Sequence, residues 1–285
     1  MSMIPEAFSY AAPCSLEEAL AALAESPDNQ AIAGGNGLLT ELKRGELRVG
    51  QLVDLRQLAE LRGVTLNDDG RLRVGALTTL TELMTDPTVR AAHLPGVLGD
   101  AVEVAGDVQT RNRATVGGTL ASAAVGSDLL AALLVLDATV EVAGARGTRV
   151  TAVSSFLDGS AGLTSGELVT AVEVAPAEPG TAYVRQANRA TLHAISGVAA
   201  TVALAGDGTV ASCRIAVTGA LATAQRLSEV EELVTGRVPP VTIPADHLDL
   251  PWIGNHFASA EYREHLTKVL VGRALDAAIA RAQQV

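Results

Sequence analysis

Ala33-Gly34-Gly35-Asn36-Gly37-Leu38-Leu39 is the stretch that decides how this chain is read. Ahead of it, Ala31-Ile32-Ala33 is a short apolar run that predicts a strand, and behind it Leu38–Leu42 takes up a helical pattern. A glycine loop therefore joins strand to helix. Such a loop leaves backbone N–H groups uncovered, and successive amides make a nest for an anion. The helix that follows adds the positive end of its dipole, so a pyrophosphate suits the place. The spacing is neither GxGxxG, because Leu38, Leu39 and Thr40 follow Gly37, nor a P-loop, because no Gly-Lys-Ser/Thr appears. Taken alone, the stretch reads equally well as a tight strand-to-helix turn.

A second stretch changes the balance. Thr110-Arg111-Asn112-Arg113-Ala114-Thr115-Val116-Gly117-Gly118-Thr119 again couples glycine amides, expected to be exposed, with the hydroxyls of Thr115 and Thr119. Arg111 and Arg113 bring positive charge into an acidic chain. Two such loops can clamp one polyanion from both sides, as a dinucleotide would require. Ser127-Asp128 then opens the apolar run Leu129–Leu136. Either residue can cap that helix, and the Asp128 carboxylate can also bond ribose or ribityl hydroxyls.

Outward from these loops the chain reads as two regions. Ser15-Leu16-Glu17-Glu18 has the form of a capping box, with Leu16, Leu20 and Leu23 on one helical face. With a strand at Leu52–Leu55 the first fifty-odd residues form a small α/β unit. Strands are expected at Leu72–Leu77, Thr139–Ala143 and Glu167–Ala175, and helices at Leu80–Met84, closed by Pro87, and Leu94–Ala105, beginning near Pro95. Pro176–Gly180 marks a boundary. Beyond it come strands at Ala182–Ala187, Gly197–Leu204 and Val210–Val217, with a Gly206-Asp207-Gly208 turn, then a helix at Leu227–Val234. The irregular Pro239–Pro251 leads to a long helix, Ser259–Ala282, with Tyr262, Leu266, Val269 and Leu270 as its apolar stripe. Strands followed by helices give an α+β region.

Composition excludes several functions. The net charge of −11 and an aromatic content of 2% argue against nucleic-acid binding and against anionic membranes. The longest strongly apolar run, Leu129–Leu136, is too short to span a bilayer, and Met1–Tyr10 shows no basic segment followed by an apolar run, so a cytoplasmic protein without a signal peptide is expected. Cys14 and Cys213 are too few for an iron–sulfur cluster and lack CxxC spacing, so both are expected as free, buried thiols. No histidine among His93, His193, His247, His256 and His265 has metal-ligand spacing, and no metal is expected. With no nucleophile or acid–base constellation in view, any hard chemistry falls to a cofactor.

The loop Ala33–Leu39 resembles the AGGxSLL loop of the FAD-binding medium subunits of molybdenum hydroxylases, the family of the carbon monoxide dehydrogenase medium chain and the xanthine dehydrogenase FAD domain. Gln109–Leu120 is similar to that family's QIRNxGTIGGNL, and Ser127-Asp128-Leu129 with Ala131–Leu134 to its SDLxxALLAL. Glu167-Leu168-Val169, Ala182-Tyr183 and Ala260-Glu261-Tyr262-Arg263 follow in order. The resemblance implies an α+β chain. Its FAD-binding domain, residues 1–177, would be of the PCMH or vanillyl-alcohol-oxidase-like type, with α/β subdomains at about 1–57 and 58–177. A domain of a three-stranded antiparallel sheet and helices, residues 178–285, would follow.

The resemblance also implies FAD as cofactor. Ile32, Ala33, Gly34, Gly35, Asn36, Gly37 and Leu38, with Thr110, Thr115, Val116, Gly117, Gly118 and Thr119, would wrap its diphosphate. Asp128 would bind hydroxyls, Val169 would lie near the flavin ring, and Arg185 would bond the ring edge. The implied function is electron transfer from iron–sulfur clusters through FAD to an acceptor. The implied partners are a molybdopterin large subunit and a 2Fe-2S small subunit, in a heterotrimer that dimerises; a homo-oligomer is the alternative. The chain departs from the family's pattern at Ala124-Val125-Gly126, where Asp-Pro is usual, at Gly37 for Ser, at Thr119 for Asn, and over Asn188–Ala194, which puts His193 where an aromatic often faces the flavin. That last segment motivates two alternatives: a stand-alone FAD-dependent enzyme with His193 near the ring, and a scaffold that has lost flavin.

Overall fold

The structure is a computed structural model that describes residues 6–91, 96–176, 180–241 and 248–284. The strands are β1 (Ser9–Ala11), β2 (Asn29–Ile32), β3 (Gln51–Asp54), β4 (Val64–Leu66), β5 (Leu72–Gly75), β6 (Thr139–Gly144), β7 (Gly147–Ala152), β8 (Leu168–Val174), β9 (Gly180–Ala187), β10 (Ala194–Leu204), β11 (Val210–Thr218) and β12 (Gln225–Arg226). The helices are α1 (Leu16–Ala24), α2 (Leu38–Arg44), α3 (Leu80–Thr85), α4 (Pro87–Ala91), α5 (Gly96–Val104), α6 (Val108–Arg111), α7 (Val116–Ser122), α8 (Asp128–Val135), α9 (Val153–Leu157), α10 (Ser228–Val234) and α11 (Ala260–Ala282). They form two compact units. The first is residues 1–86, 108–122 and 139–173; the second is residues 87–107, 123–138 and 174–285.

In the first unit, β1, α1, β2, α2 and β3 build a three-stranded sheet of order β1-β3-β2, all parallel. This is the small α/β unit expected from the sequence. The Ser15 hydroxyl caps α1 by accepting from the Glu18 amide, while the Glu18 carboxylate accepts from the Cys14 amide, one residue earlier than in a full capping box. Ala19 and Leu23 bury against Val53, Leu55, Leu58 and Leu61. Strand β1 gave no sequence signal because it is three residues long, with Ser9 and Tyr10 exposed. The second sheet has the order β4-β5-β8-β6-β7. Its interior strands carry the apolar runs that identify them; β4 and β7 lie at its edges with mostly exposed side chains, and alternation does not reveal them.

The second unit is an antiparallel sheet of order β12-β11-β10-β9, with α11 lying on β9 and β10. Three strands were expected; the two-residue β12 adds a fourth at the edge beside β11. Helices α5 and α8, distant in sequence, pack on this sheet as well. All eight residues of α8 are buried, which explains a run apolar on every side. The apolar stripe expected on α11 is corrected: Tyr262 and Val269 are exposed, and the buried face runs through Arg263, Thr267, Leu270, Val271, Ala274, Leu275 and Ala278. Two polar residues open that face because their terminal groups find partners inside the protein, although the buried Arg263 Nε has none among the described residues. Arg263 donates to the carbonyls of Ile195 and Gly219, and Thr267 bonds Ser196.

Other expectations need adjustment. Pro87 does not simply close α3: Asp86 ends it, and Pro87 starts α4. Both cysteines are free, but Cys14 is exposed, while burial pushes the Cys213 thiol up to about 12. The expected helix start near Pro95, part of the boundary at Pro176–Gly180, residues 242–247 of the irregular Pro239–Pro251, His93 and His247 lie outside the described residues. Among the described residues, no helix is long and apolar enough to cross a membrane.

Candidate dinucleotide site

The loop between β2 and α2 is built so that its two kinds of backbone group part company. Gly35 turns the chain with φ +82°, a conformation that favours glycine. Every carbonyl from Gly34 to Gly37 then finds a donor inside the protein. The Gly35 oxygen accepts from the Leu39 amide at 3.1 Å, and the Gly37 oxygen accepts from the amides of Thr40 at 2.9 Å and Glu41 at 3.1 Å. The Asn36 oxygen accepts from the Thr40 hydroxyl at 2.8 Å, and the Gly34 oxygen accepts from the Arg113 guanidinium at 3.2 and 3.3 Å. Among the described residues, the amides of Gly35, Asn36, Gly37 and Leu38 donate to nothing. The result is four consecutive N–H donors with no acceptor.

The second glycine pair is not a loop. Gly117, Gly118 and Thr119 stand in the first turns of α7. Their amides, expected to be exposed and available, are committed. Val116 donates to the Thr78 carbonyl, Gly117 to Ala76, Gly118 to the Thr115 hydroxyl, and Thr119 to the Thr115 carbonyl. Gly117 is glycine for packing, because a Cβ there would stand 2.5 Å from the Ala76 Cβ. Thr115 bridges to Thr79 and is itself buried.

The two segments are knitted together all the same. A Cβ on Gly34 would fall 2.1 Å from the Arg113 carbonyl oxygen, so only glycine lets the segments touch. The Asn36 side chain donates to the Thr110 carbonyl at 3.3 Å. Beside this seam lies a cleft of about 310 Å³ lined by Ala33, Gly34, Arg56, Arg62, Leu77, Thr79, Thr81, Glu82, Asn112, Arg113 and Thr115. Arg56 is fixed there by the buried Asp54, which accepts from its guanidinium at 2.5–3.0 Å and from the Tyr10 hydroxyl at 2.5 Å. Burial would raise the Asp54 carboxyl, but those donors outweigh it and hold the group at about 2.

The remaining predicted residues fall elsewhere. Ile32 ends β2 and, with Leu38, packs on Leu42 and Leu52 in the first unit. Val169 is buried in β8 opposite Val142. Asp128, Arg185 and His193 belong to the second unit. Asp128 is 4% exposed; it accepts from the Tyr183 hydroxyl at 2.6 Å and from the Arg185 guanidinium at 2.8 Å. Burial pushes its carboxyl up, against the pull of Arg185 and Tyr183, and burial beside Asp128 pushes the Tyr183 hydroxyl far above its ordinary range. Arg185 also donates to the carbonyls of Leu192 and Val104. His193 is exposed.

Sequence reasoning did not place Tyr10, Asp54, Arg56, Arg62 or Tyr183 in any cluster. A signal existed for Tyr183, since strand alternation puts it on the same face as Arg185, two residues on.

The four free amides, with the Arg113 charge behind them, suit a group that only accepts hydrogen bonds and carries negative charge, as the diphosphate of a dinucleotide does. The chain matches the family model "FAD binding domain in molybdopterin dehydrogenase" over residues 6–177 and "CO dehydrogenase flavoprotein C-terminal domain" over residues 181–278. The xanthine dehydrogenase FAD-binding subunit of Escherichia coli O157:H7 is 30% identical over 286 residues, covering 96% of this chain and 97% of that protein. The structure of carbon monoxide dehydrogenase from Hydrogenophaga pseudoflava that lacks the Mo-pyranopterin moiety contains a chain with TM-score 0.90 and 31% identity, covering 98% of this chain and 99% of that one. Quinoline 2-oxidoreductase from Pseudomonas putida 86 contains another, with TM-score 0.87 and 28% identity, covering 98% and 99%. The chain belongs to the FAD-binding medium-subunit family of the molybdenum hydroxylases, and its cofactor is FAD.

Proposed function

We propose that this chain is the electron-transfer subunit of a molybdenum hydroxylase or dehydrogenase complex. It works beside a molybdopterin large subunit and a 2Fe-2S small subunit in the cytoplasm. FAD, when bound, supplies a carrier that takes electrons from the clusters and yields them to an acceptor. The residues of this chain bind and orient it. The amides of Gly35, Asn36, Gly37 and Leu38 hold the diphosphate, and this row is the observation that carries the reading. Thr110, whose carbonyl accepts from the Asn36 side chain, and the Thr115–Thr119 segment wrap the diphosphate from the other side. Asp128 and Arg185 enter the reading as a pair facing the hydroxyls and the ring edge, so a substitution at either removes the partner's contact as well. Val169 lies toward the ring, and His193 near it.

The organisation proposed is an FAD-binding domain over residues 1–177, with subdomains at about 1–57 and 58–177, and a C-terminal domain over 178–285. The matched spans of 6–177 and 181–278 support that division. The relatives' names, which are those of FAD-binding subunits and medium chains, support the place in a complex.

The test is the purified full chain supplied with FAD. It is expected to be yellow, with flavin absorbance bands that survive gel filtration, and to hydroxylate nothing until the other subunits are added. Substrate turnover by the chain alone overturns the subunit reading, and absence of flavin bands overturns the cofactor site.

A further inference from the structure

The row of free amides raises the question of what keeps it aimed. In a trans peptide the carbonyl and the N–H of one plane point in opposite directions. Tying a carbonyl inward therefore turns the next residue's amide outward. Four planes make the row. Three of them are held by α2 itself: its residues Leu39, Thr40 and Glu41 supply the donors to the carbonyls of Gly35, Asn36 and Gly37. Among the described residues, no group of α2 donates to the fourth. The only donor to the Gly34 carbonyl, among the described residues, is the Arg113 guanidinium, which offers Nε at 3.3 Å and a terminal nitrogen at 3.2 Å. The fit is close because Gly34 lacks a Cβ where the Arg113 backbone passes.

We infer that Arg113 is a positioning residue for the cofactor. Its guanidinium fixes the Gly34–Gly35 peptide plane and so aims the Gly35 amide, the first of the row. Arg113 acts through the backbone of another segment, and its planar fork does what a point charge does not. The inference rests on the reading that the row holds the FAD diphosphate.

The experiment is FAD titration of flavin-free full-length chain, followed by flavin fluorescence, for the natural protein, Arg113→Leu and Arg113→Lys. Thermal melting of each flavin-free form and 31P NMR of the bound diphosphate accompany it. Arg113→Leu is expected to weaken FAD by about tenfold or more, with displaced 31P resonances and a flavin-free melting temperature close to the natural one. Arg113→Lys keeps the charge and is expected to leave most of that loss in place. It also carries the test alone if the leucine variant does not fold. Full recovery by lysine assigns the effect to charge and overturns the inference, as does unchanged affinity and unchanged 31P resonances in the leucine variant. If the natural protein binds no FAD, the parent reading fails and this one falls with it; if it binds and the variants match it, only this one fails.

Discussion

Two glycine pairs, Gly34-Gly35 and Gly117-Gly118, look alike in sequence and do opposite work. The first leaves four amides free and ties the adjoining carbonyls inward. The second sits in a helical turn whose amides are bonded and whose Gly117 is pressed against Ala76. One pair frees the backbone for a ligand, and the other lets the backbone come close to itself. A glycine motif marks a place where a side chain is not tolerated; what occupies the space is settled only by where the neighbouring strands and helices pass.

The sharpest way to break this contrast is to put a methyl group on each side of it. Gly117→Ala places a Cβ 2.5 Å from the Ala76 Cβ and 3.0 Å from its carbonyl oxygen, in a buried seam that cannot move freely. Overpacking of this kind costs about 1–3 kcal/mol. The flavin-free protein is expected to melt several degrees lower, with FAD binding lost only to the extent that the fold is. Gly35→Ala meets the mobile end of the Leu39 side chain at 3.0 Å, and its penalty is the positive φ of 82°. About 1 kcal/mol of stability is expected to go, while FAD affinity falls by more than the stability change accounts for. Paired melting curves and FAD titrations separate the two patterns. Equal effects on melting and binding in both variants would erase the distinction.

The same contrast shows what the sequence could disclose. The strand-glycine-helix order at Ala31–Leu42 is local, and it is present in the fold as β2, the loop and α2. The role of Gly117 depends on Ala76, some forty residues away, and that contact has no local signature. The α11 stripe failed for a related reason. Arg263 and Thr267 are buried because carbonyls at Ile195 and Gly219 and the Ser196 hydroxyl wait for them, and polar residues read as outward-facing until such partners are known. Likewise Asp128 was legible as a helix-start carboxylate, but its bonds to Tyr183 and Arg185 follow from α8 packing on a sheet that comes later in the chain. Local pattern yields elements and loops; partners across the fold decide which donors remain free.

A smaller effect is expected from the foundation of the first loop. Asp54 pairs with Ile32 across β2 and β3 and anchors Arg56 and Tyr10. Its carboxyl sits at about 2 when folded, against an ordinary 3.8, so the folded state holds its proton less tightly than the unfolded state does. The stabilisation is complete above about pH 4 and is lost as pH falls toward 2. Because the Arg56 side chain is 53% exposed, solvent screening reduces the contribution to about 1 kcal/mol. Asp54→Asn is expected to lower stability at pH 7 and to flatten the acid limb of the stability curve between about pH 4 and 2. Gly117→Ala, in contrast, is expected to shift the curve down evenly. A variant Asp54→Asn whose acid limb is as steep as that of the natural protein would show that this carboxylate does not support the loop.

The smallest expected effect is at Gly37, where the resemblance calls for serine. Gly37 has φ −75° and a Cβ there would meet nothing nearer than the Ser122 Cβ at 3.9 Å, so neither strain nor packing requires glycine. It occupies the N-cap of α2 without a side-chain bond, and its amide is one of the free four. Gly37→Ser therefore adds a hydroxyl beside a donor row with little gain from capping, because Gly37 has helical φ −75° and ψ −62° and the Leu39 and Thr40 amides that a cap would bond are already taken. The melting temperature is expected to move by a degree or less. FAD is expected to bind as tightly as before or up to several-fold more tightly, because a hydroxyl can donate where the amides already do. Weaker FAD binding in Gly37→Ser would mean that the open space at Gly37 is filled by the cofactor itself, which would move the diphosphate from the face of the row onto its edge.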